Sequence, residues 1–192
     1  MSSHLSILLK KSTSEHSHLC PRQVLGVRMG LAGLVALGVK APVTTKTTLV
    51  IIETNGCFAD GIRVATGATV GHRTLMVQDL GKIAATFTDL KNGTSLRLAP
   101  KLGVRTRALD YAPEEKRRYF AQLKGYQVMP DEELFSFQRV ELQIPAAEII
   151  SHQNARAHCS SCGEEVINER EVVVEGKVLC QTCAFGGYYR VR

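Results

Sequence analysis

Tryptophan is absent from this chain, and aromatic residues make up only 6% of it. The hydrophobic fraction of 44% still suffices for a packed core. Long apolar runs are missing as well. Residues 24–39 form the most apolar stretch, but Arg28 and four glycines interrupt it. A bilayer asks for about 20 predominantly apolar residues in succession. The opening MSSHLSILLKKSTSEH is too polar, and its apolar run too short, for a secretory signal. No membrane partner is therefore expected, and the expected location is the cytoplasm. The six cysteines are too few and too patterned for a disulfide scaffold.

A basic excess is also missing from the C-terminal part. Residues 151–192 carry five basic groups (Arg156, Arg170, Lys177, Arg190, Arg192) against five acidic ones (Glu164, Glu165, Glu169, Glu171, Glu175). A nucleic-acid reader wants a basic face, so no nucleic-acid partner is expected. The formal net charge of +6 lies in residues 1–150, with 19 basic against 13 acidic groups. Within it Arg97, Lys101, Arg105 and Arg107 follow one another without an intervening acid. They form either a solvated loop or an anion-binding rim that would suit a small anionic substrate.

What is present divides in two. A length of 192 residues allows one medium domain plus something small. We place these at 1–150 and 151–192, with residues 151–157 as linker. Leu5, Leu8 and Leu9 suggest a short amphipathic helix. Residues 47–52 form a β-branched run that reads as a buried strand. Asn55-Gly56 breaks it, and residues 58–65 have helical apolar spacing. Cys57 thus sits where a strand hands over to a helix N-terminus, with Asp60 in the first turn. That position favours a thiolate; the alternative is a small buried hydrophobe.

Upstream lies His16-Ser17-His18-Leu19-Cys20-Pro21. A residue before proline is extended, so His16, His18 and Cys20 project to one side. Two imidazoles and a thiol on one face suit a divalent metal; a polar capping loop is the alternative. Pro21 suits the first position of a helix. On that helix Gly26, Gly30 and Gly33 leave a smooth strip for close packing. Further strands are expected at 74–77, 83–87, 94–98 and 137–144, with a hairpin turn at 89–93. A helix is expected from Asp110 to a stop at Gly125, and a short one near 130–134.

Taken together, His18-Leu-Cys20-Pro21, the glycine-rich helix, Glu53-Thr-Asn-Gly-Cys57-Phe-Ala-Asp60-Gly-Ile62, Gly67-Ala-Thr69-Val-Gly71 and Asp79-Leu-Gly81-Lys82 resemble the FmdE family, named for a component of molybdenum or tungsten formylmethanofuran dehydrogenase. The resemblance implies an α+β core with a mixed five-stranded sheet flanked by helices, broadly thioredoxin-like. It implies a metal-binding active site of His18, Cys20 and Cys57, with His16 and Asp60 beside it. A C-terminal treble-clef zinc finger often accompanies this core. The family pattern carries Cys where this chain has Ala68, and Lys where it has His72.

The tail carries the strongest signal from spacing alone. Cys159-Ser-Ser-Cys162 and Cys180-Gln-Thr-Cys183 are 17 residues apart, within the range of a structural zinc site. A hairpin is expected between the pairs, turning at Glu175-Gly176. Four thiolates would close the coordination shell and fold a segment that lacks a core of its own.

Three function classes follow. One is a metal-dependent catalytic or accessory subunit in anaerobic one-carbon metabolism, with zinc or another divalent metal in the core, partner dehydrogenase subunits and a homodimeric assembly. In it Cys57, His16 and Asp60 form the catalytic set. A second is thiol redox chemistry, with Cys57 as nucleophile and Cys20 as resolving thiol, although residues 1–150 hold no Cys-x-x-Cys. The third is a non-enzymatic adaptor or metal-handling protein.

Overall fold

The computed structural model describes residues 3–14, 16, 18–43, 46–150 and 154–190. The chain divides into two compact units, Met1–Ala146 and Ala147–Arg192. The larger begins with α1 (Ser3–Thr13) and α2 (Pro21–Leu37), followed by β1 (Thr48–Ile52), α3 (Cys57–Thr66) and β2 (Leu75–Val77). Then come β3 (Ala85–Asp89), β4 (Ser95–Pro100), α4 (Val104–Arg107), α5 (Arg118–Val128), α6 (Asp131–Leu134) and β5 (Phe135–Val140).

The five strands form one sheet in the order β2-β1-β3-β4-β5. β1 and β2 are parallel, and every other neighbouring pair is antiparallel. This is the mixed α+β sheet flanked by helices that the sequence led us to expect. Strand alternation sorts the side chains. Val50 and Ile52 lie opposite Phe87 and Ala85, and Ala85 lies opposite Leu98. All five are fully buried in the apolar core with Val24, Val27, Met29, Phe58 and Ile62.

The closest packing joins α2 to α3. A Cβ on Gly26 would lie 2.3 Å from the Phe58 carbonyl oxygen, and one on Gly61 would lie 2.5 Å from the Gln23 carbonyl oxygen. Backbone rests on backbone, which no other residue type permits. The glycine strip continues at Gly30 against Ala65 and at Gly33 against the Phe87 ring. The expected tight packing of this strip is what the structure shows.

Arg28 anchors α2 at its other face. Its guanidinium donates to the carbonyls of Tyr126 and Met129, both at 2.7 Å, and to the Asp131 carboxylate at 2.6 Å. The two carbonyls lie at the C-terminal end of α5, where such groups lack partners within the helix. The Arg28 side chain is only 12% exposed, so these charge-assisted bonds satisfy both ends.

Several boundaries differ from the sequence expectation. The helix expected from Asp110 begins at Arg118, and residues 108–111 and 113–114 are turns. Gly125 does not end it but lies inside α5, where a Cβ would meet the Ala108 carbonyl at 2.5 Å. The glycine there answers a packing need. β3 starts at Ala85 rather than Ile83, and β5 spans Phe135–Val140 rather than 137–144. β5 pairs from Phe135 opposite Pro100 to Val140 opposite Ser95. Beyond Ser95 β4 has no residue left to pair, so the alternation that continues in sequence finds no partner. α4 was not foreseen.

After α7 (Ala146–Ile150), whose first residue belongs to the larger unit, the smaller unit contains β6 (Arg156–His158), β7 (Glu165–Ile167), β8 (Val172–Val174), β9 (Lys177–Leu179) and α8 (Gln181–Phe185). β6 pairs with β7, and β8 with β9, both antiparallel. The β8–β9 turn falls at Glu175 and Gly176, both with positive φ, as expected for this hairpin. Of the linker expected at 151–157, residues 151–153 lie outside the described residues, and Arg156 and Ala157 belong to β6. No helix among the described residues is long and apolar enough to cross a membrane.

The α2–α3 contact yields a prediction. Gly61→Ala should destabilise the protein by about 1–3 kcal/mol, because backbone cannot move aside as a side chain can. Gly71→Ala, where a Cβ meets nothing within 4 Å, should stay within about 0.5 kcal/mol of the parent. Urea denaturation of both variants checks this; equal midpoints would refute it.

Candidate functional site

The starts of α2 and α3 each carry a thiol. Cys20 is the N-cap of α2: its Sγ accepts the Gln23 N–H at 3.4 Å, and the Gln23 Oε1 accepts the Cys20 N–H at 2.9 Å. This is a capping box with sulfur in the hydroxyl's place. Gln23 is fully buried, and its Nε2 donates to the Ser12 carbonyl at 3.1 Å. The cap is thereby tied to α1. Cys57 opens α3 behind Gly56, whose φ of +74° suits glycine alone.

The two thiols interact. Burial, and next the hydrogen bond from Cys20, push the Cys57 thiol above its usual range. A backbone N–H opposes them, and the Asp60 carboxylate adds to the rise. The helix start therefore does not by itself lower the Cys57 thiol. Desolvation and a proton shared between two sulfurs outweigh one helix dipole. Burial also raises the Tyr119 phenol, and the charges of Cys20 and Cys57 raise it further. Tyr119 lines one cavity with both thiols.

His16 meets α3 one turn along from Cys57: its Nε2 is 2.6 Å from the Asp60 Oδ2. His18 is exposed and lines one cavity of about 430 Å3 with Cys20 and Cys57. Arg22, Arg105, Tyr119, Gln122 and Tyr126 line it too. Among the described residues, only the four tail cysteines converge as a set of three or more ligand atoms within 4.8 Å of one another. His18, Cys20 and Cys57 share a wall without converging to that degree.

The basic run 97–107 is split by the fold. Arg97 forms a bidentate pair with Glu53, at 2.5 Å and 2.8 Å. Arg107 donates to the Glu133 carbonyl at 2.6 Å. Arg105 faces the Cys57 cavity, as Tyr119 and Gln122 do. Nothing in the spacing of Tyr119 or Gln122 could have marked them, since they reach the thiols only through the docking of α5.

In the smaller unit Cys159 and Cys162 flank the turn between β6 and β7, Cys180 is the N-cap of α8, and Cys183 lies inside it. The order of knuckle, hairpin and helix is that of a treble-clef finger. The Cys162 and Cys180 sulfurs are 4.0 Å apart, close to the edge of about 3.8 Å that a tetrahedron with Zn–S of about 2.3 Å requires. Backbone N–H groups of Cys162 and Cys180 pull the Cys159 thiol down to about 6. The Cys162 thiol, although a hydrogen bond involving the Glu164 backbone lowers it, is pushed up to about 12 by the proton it shares with Cys159 and the other sulfurs. Four crowded thiols sharing protons in this way fit a single soft divalent cation.

Residues 15–136 match the family described as "FmdE, Molybdenum formylmethanofuran dehydrogenase operon". That span holds the thiol pair, the His16–Asp60 pair and Tyr119. The chain belongs to the FmdE family. A curated relative from Archaeoglobus fulgidus, named "Probable S-adenosyl-L-methionine-binding protein", is 31% identical over 210 residues. The match covers 98% of this chain and 55% of that protein, so the chain spans about half the relative's length. The crystal structure of a tungsten formylmethanofuran dehydrogenase FmdE-like protein from Syntrophus aciditrophicus shares the fold. Its TM-score is 0.59 at 22% identity, covering 97% of this FmdE chain and 95% of that one.

The finger generates the second prediction. Cys180→Ser should remove one equivalent of zinc and unfold residues 154–190, because metal binding in such units supplies about 10 kcal/mol or more of their folding free energy. The Met1–Ala146 sheet should persist. Amide exchange with elemental analysis checks this; a tail equally protected without zinc would refute it.

Proposed function

We propose that this FmdE-family chain is a catalytic or accessory subunit related to molybdenum or tungsten formylmethanofuran dehydrogenase, acting in anaerobic one-carbon metabolism. Its partners would be the dehydrogenase's other subunits, its assembly a homodimer and its location the cytoplasm. The observation that carries this reading is the pairing of Cys20 and Cys57 at two helix starts on one cavity that His18 also lines.

Two thiols and an imidazole form a donor set suited to zinc or another divalent ion. The set is short of convergence, so side chains must shift to complete it. Lewis acidity toward a substrate oxygen is what such an ion supplies when bound. The remaining roles fall to the chain. Asp60 orients His16 through their short bond, leaving the imidazole to accept or return a proton beside Cys57. Tyr119 stands ready to donate a hydrogen bond at the thiols. The apolar side chains Leu25 and Ile83 limit water at the cavity wall. In the tail Cys159, Cys162, Cys180 and Cys183 would hold structural zinc with no open position.

Thiol redox chemistry is the second reading, and the placing of Cys20 and Cys57 on one cavity favours it. Cys57 would be the attacking sulfur and Cys20 the resolving one. Metal content separates the two readings.

Protein purified anaerobically should contain two metals per chain, the core ion exchanging more readily than the tail ion. Cys57→Ser should lose the core ion alone. One metal per chain, retained in Cys57→Ser and lost in Cys180→Ser, would overturn the metal reading and leave the redox one.

A further inference from the structure

The five-stranded sheet ends in two edge strands, β2 and β5. β2 has only three residues, and a short edge strand is one way in which a sheet avoids further pairing. β5 has six, and Phe137, Gln138 and Arg139 within it are exposed. The alternation of β5 also runs on past the strand. Glu141, Leu142, Gln143 and Ile144 continue it, yet β4 has no residue opposite them.

The ladder with β4 tells which backbone groups of β5 face outward. In an antiparallel pair, opposed residues alternate between exchanging hydrogen bonds and exchanging none. The Lys101 N–H donates to the Leu134 carbonyl at 3.0 Å. The next pair, Pro100 and Phe135, is then a non-bonded one, which suits a proline without an N–H. Counting on, Ser136, Gln138 and Val140 bond to β4. The N–H and C=O groups of Phe137 and Arg139 point away from it. Among the described residues no strand takes them up. Neither Arg139 nor Glu141 makes a salt bridge among the described residues.

We propose that this edge pairs with the same edge of a second copy of the chain, antiparallel about a two-fold axis through Val140. An axis normal to the sheet keeps each face on its own side, so odd-numbered residues oppose odd ones and even oppose even. Charge then selects the register. With Arg139 or Glu141 on the axis, like charges stand opposite each other, which destabilises a pair. With Gln138 on the axis, Arg139 meets Phe137 and Glu141 meets Phe135, so neither charge is matched. With Val140 on the axis, Arg139 of each copy meets Glu141 of the other. Arg139 is also the position whose backbone groups face outward, so each Arg139–Glu141 pair exchanges hydrogen bonds as well as opposing its charges. The ladder runs from Gln138 to Leu142, and the bend at 143–144 ends it. A cation alone on an edge blocks pairing; an acid two residues further on converts it into the mark of one register. The residues that continue the alternation gain the partner that β4 lacks. The pairing gives the proposed homodimer a face and takes nothing from the thiol cavity.

Sedimentation velocity on the full chain tests this. A ladder of this length makes a weak interface, so the samples should span about 1–500 μM. The parent should pass from monomer to dimer within that range. R139E and E141R each place like charges opposite each other twice, and each should raise the dimer Kd about tenfold or more. The double swap R139E/E141R restores both pairs with the partners exchanged, and its Kd should return to within about threefold of the parent. K91E, with the same charge change as R139E on the β3–β4 turn, should leave the dimer intact. Arg139, Glu141 and Lys91 are all exposed, so the variants should fold. A parent that stays monomeric throughout overturns this pairing and the homodimer together. A dimer indifferent to R139E and E141R, or one that the double swap does not restore, overturns the pairing and leaves the homodimer to another face.

Discussion

The contact on which the larger unit depends is backbone against backbone between α2 and α3. Gly26 and Gly61 let the two helices approach until carbonyl oxygens meet α-carbons. The approach sets more than packing density. Cys20 caps one helix and Cys57 opens the other, so the separation of the helices determines that of the sulfurs. A larger residue at either glycine would part the thiols before it touched them. The site inherits its geometry from a core contact that carries no functional group.

A second constraint comes from the arginines. Burying a guanidinium is tolerable only with its hydrogen bonds satisfied. Arg28 and Arg97 meet that condition by closing the end of α5 and joining β4 to the residue after β1. The pairing commits Asp131 and Glu53 to the fold, and no Asp or Glu is among the residues lining the two cavities beside α2.

The smaller unit solves its folding problem by other means. Its strands are three residues long, and among the described residues of this unit only Cys159 is buried. So few apolar groups cannot offset the chain entropy of ordering some forty residues. A knuckle, a hairpin turn and a helix cap each place cysteines where one cation can replace the missing core. That explains why the tail's ligands converge in the structure while the core set does not. In the tail the four sulfurs define the fold, and in the larger unit the fold stands on its glycines and aliphatic side chains.

How much of this was legible in the sequence depended on the range of the signal. The glycine strip, the β-branched run before Asn55-Gly56, the proline after Cys20 and the two Cys-x-x-Cys pairs are local patterns. Each acts through neighbours three or four residues away, so the sequence alone determined α2, β1, the position of Cys57 at a helix start and the four-sulfur site. The basic run 97–107 misled because its members look alike in sequence; which of them finds Glu53 or Glu133 is a question of tertiary placement. Gly125 read as a helix stop because the Ala108 carbonyl that requires it is 17 residues away. Tyr119, Gln122 and Arg118 carry no local mark, and they join the thiols and Arg105 only because Arg28 pins α5 to α2. The raised Cys57 thiol was hidden for the same reason. A helix dipole can be read from a boundary, whereas desolvation and a proton shared with Cys20 exist only once the intervening residues have folded back to bring the two sulfurs together.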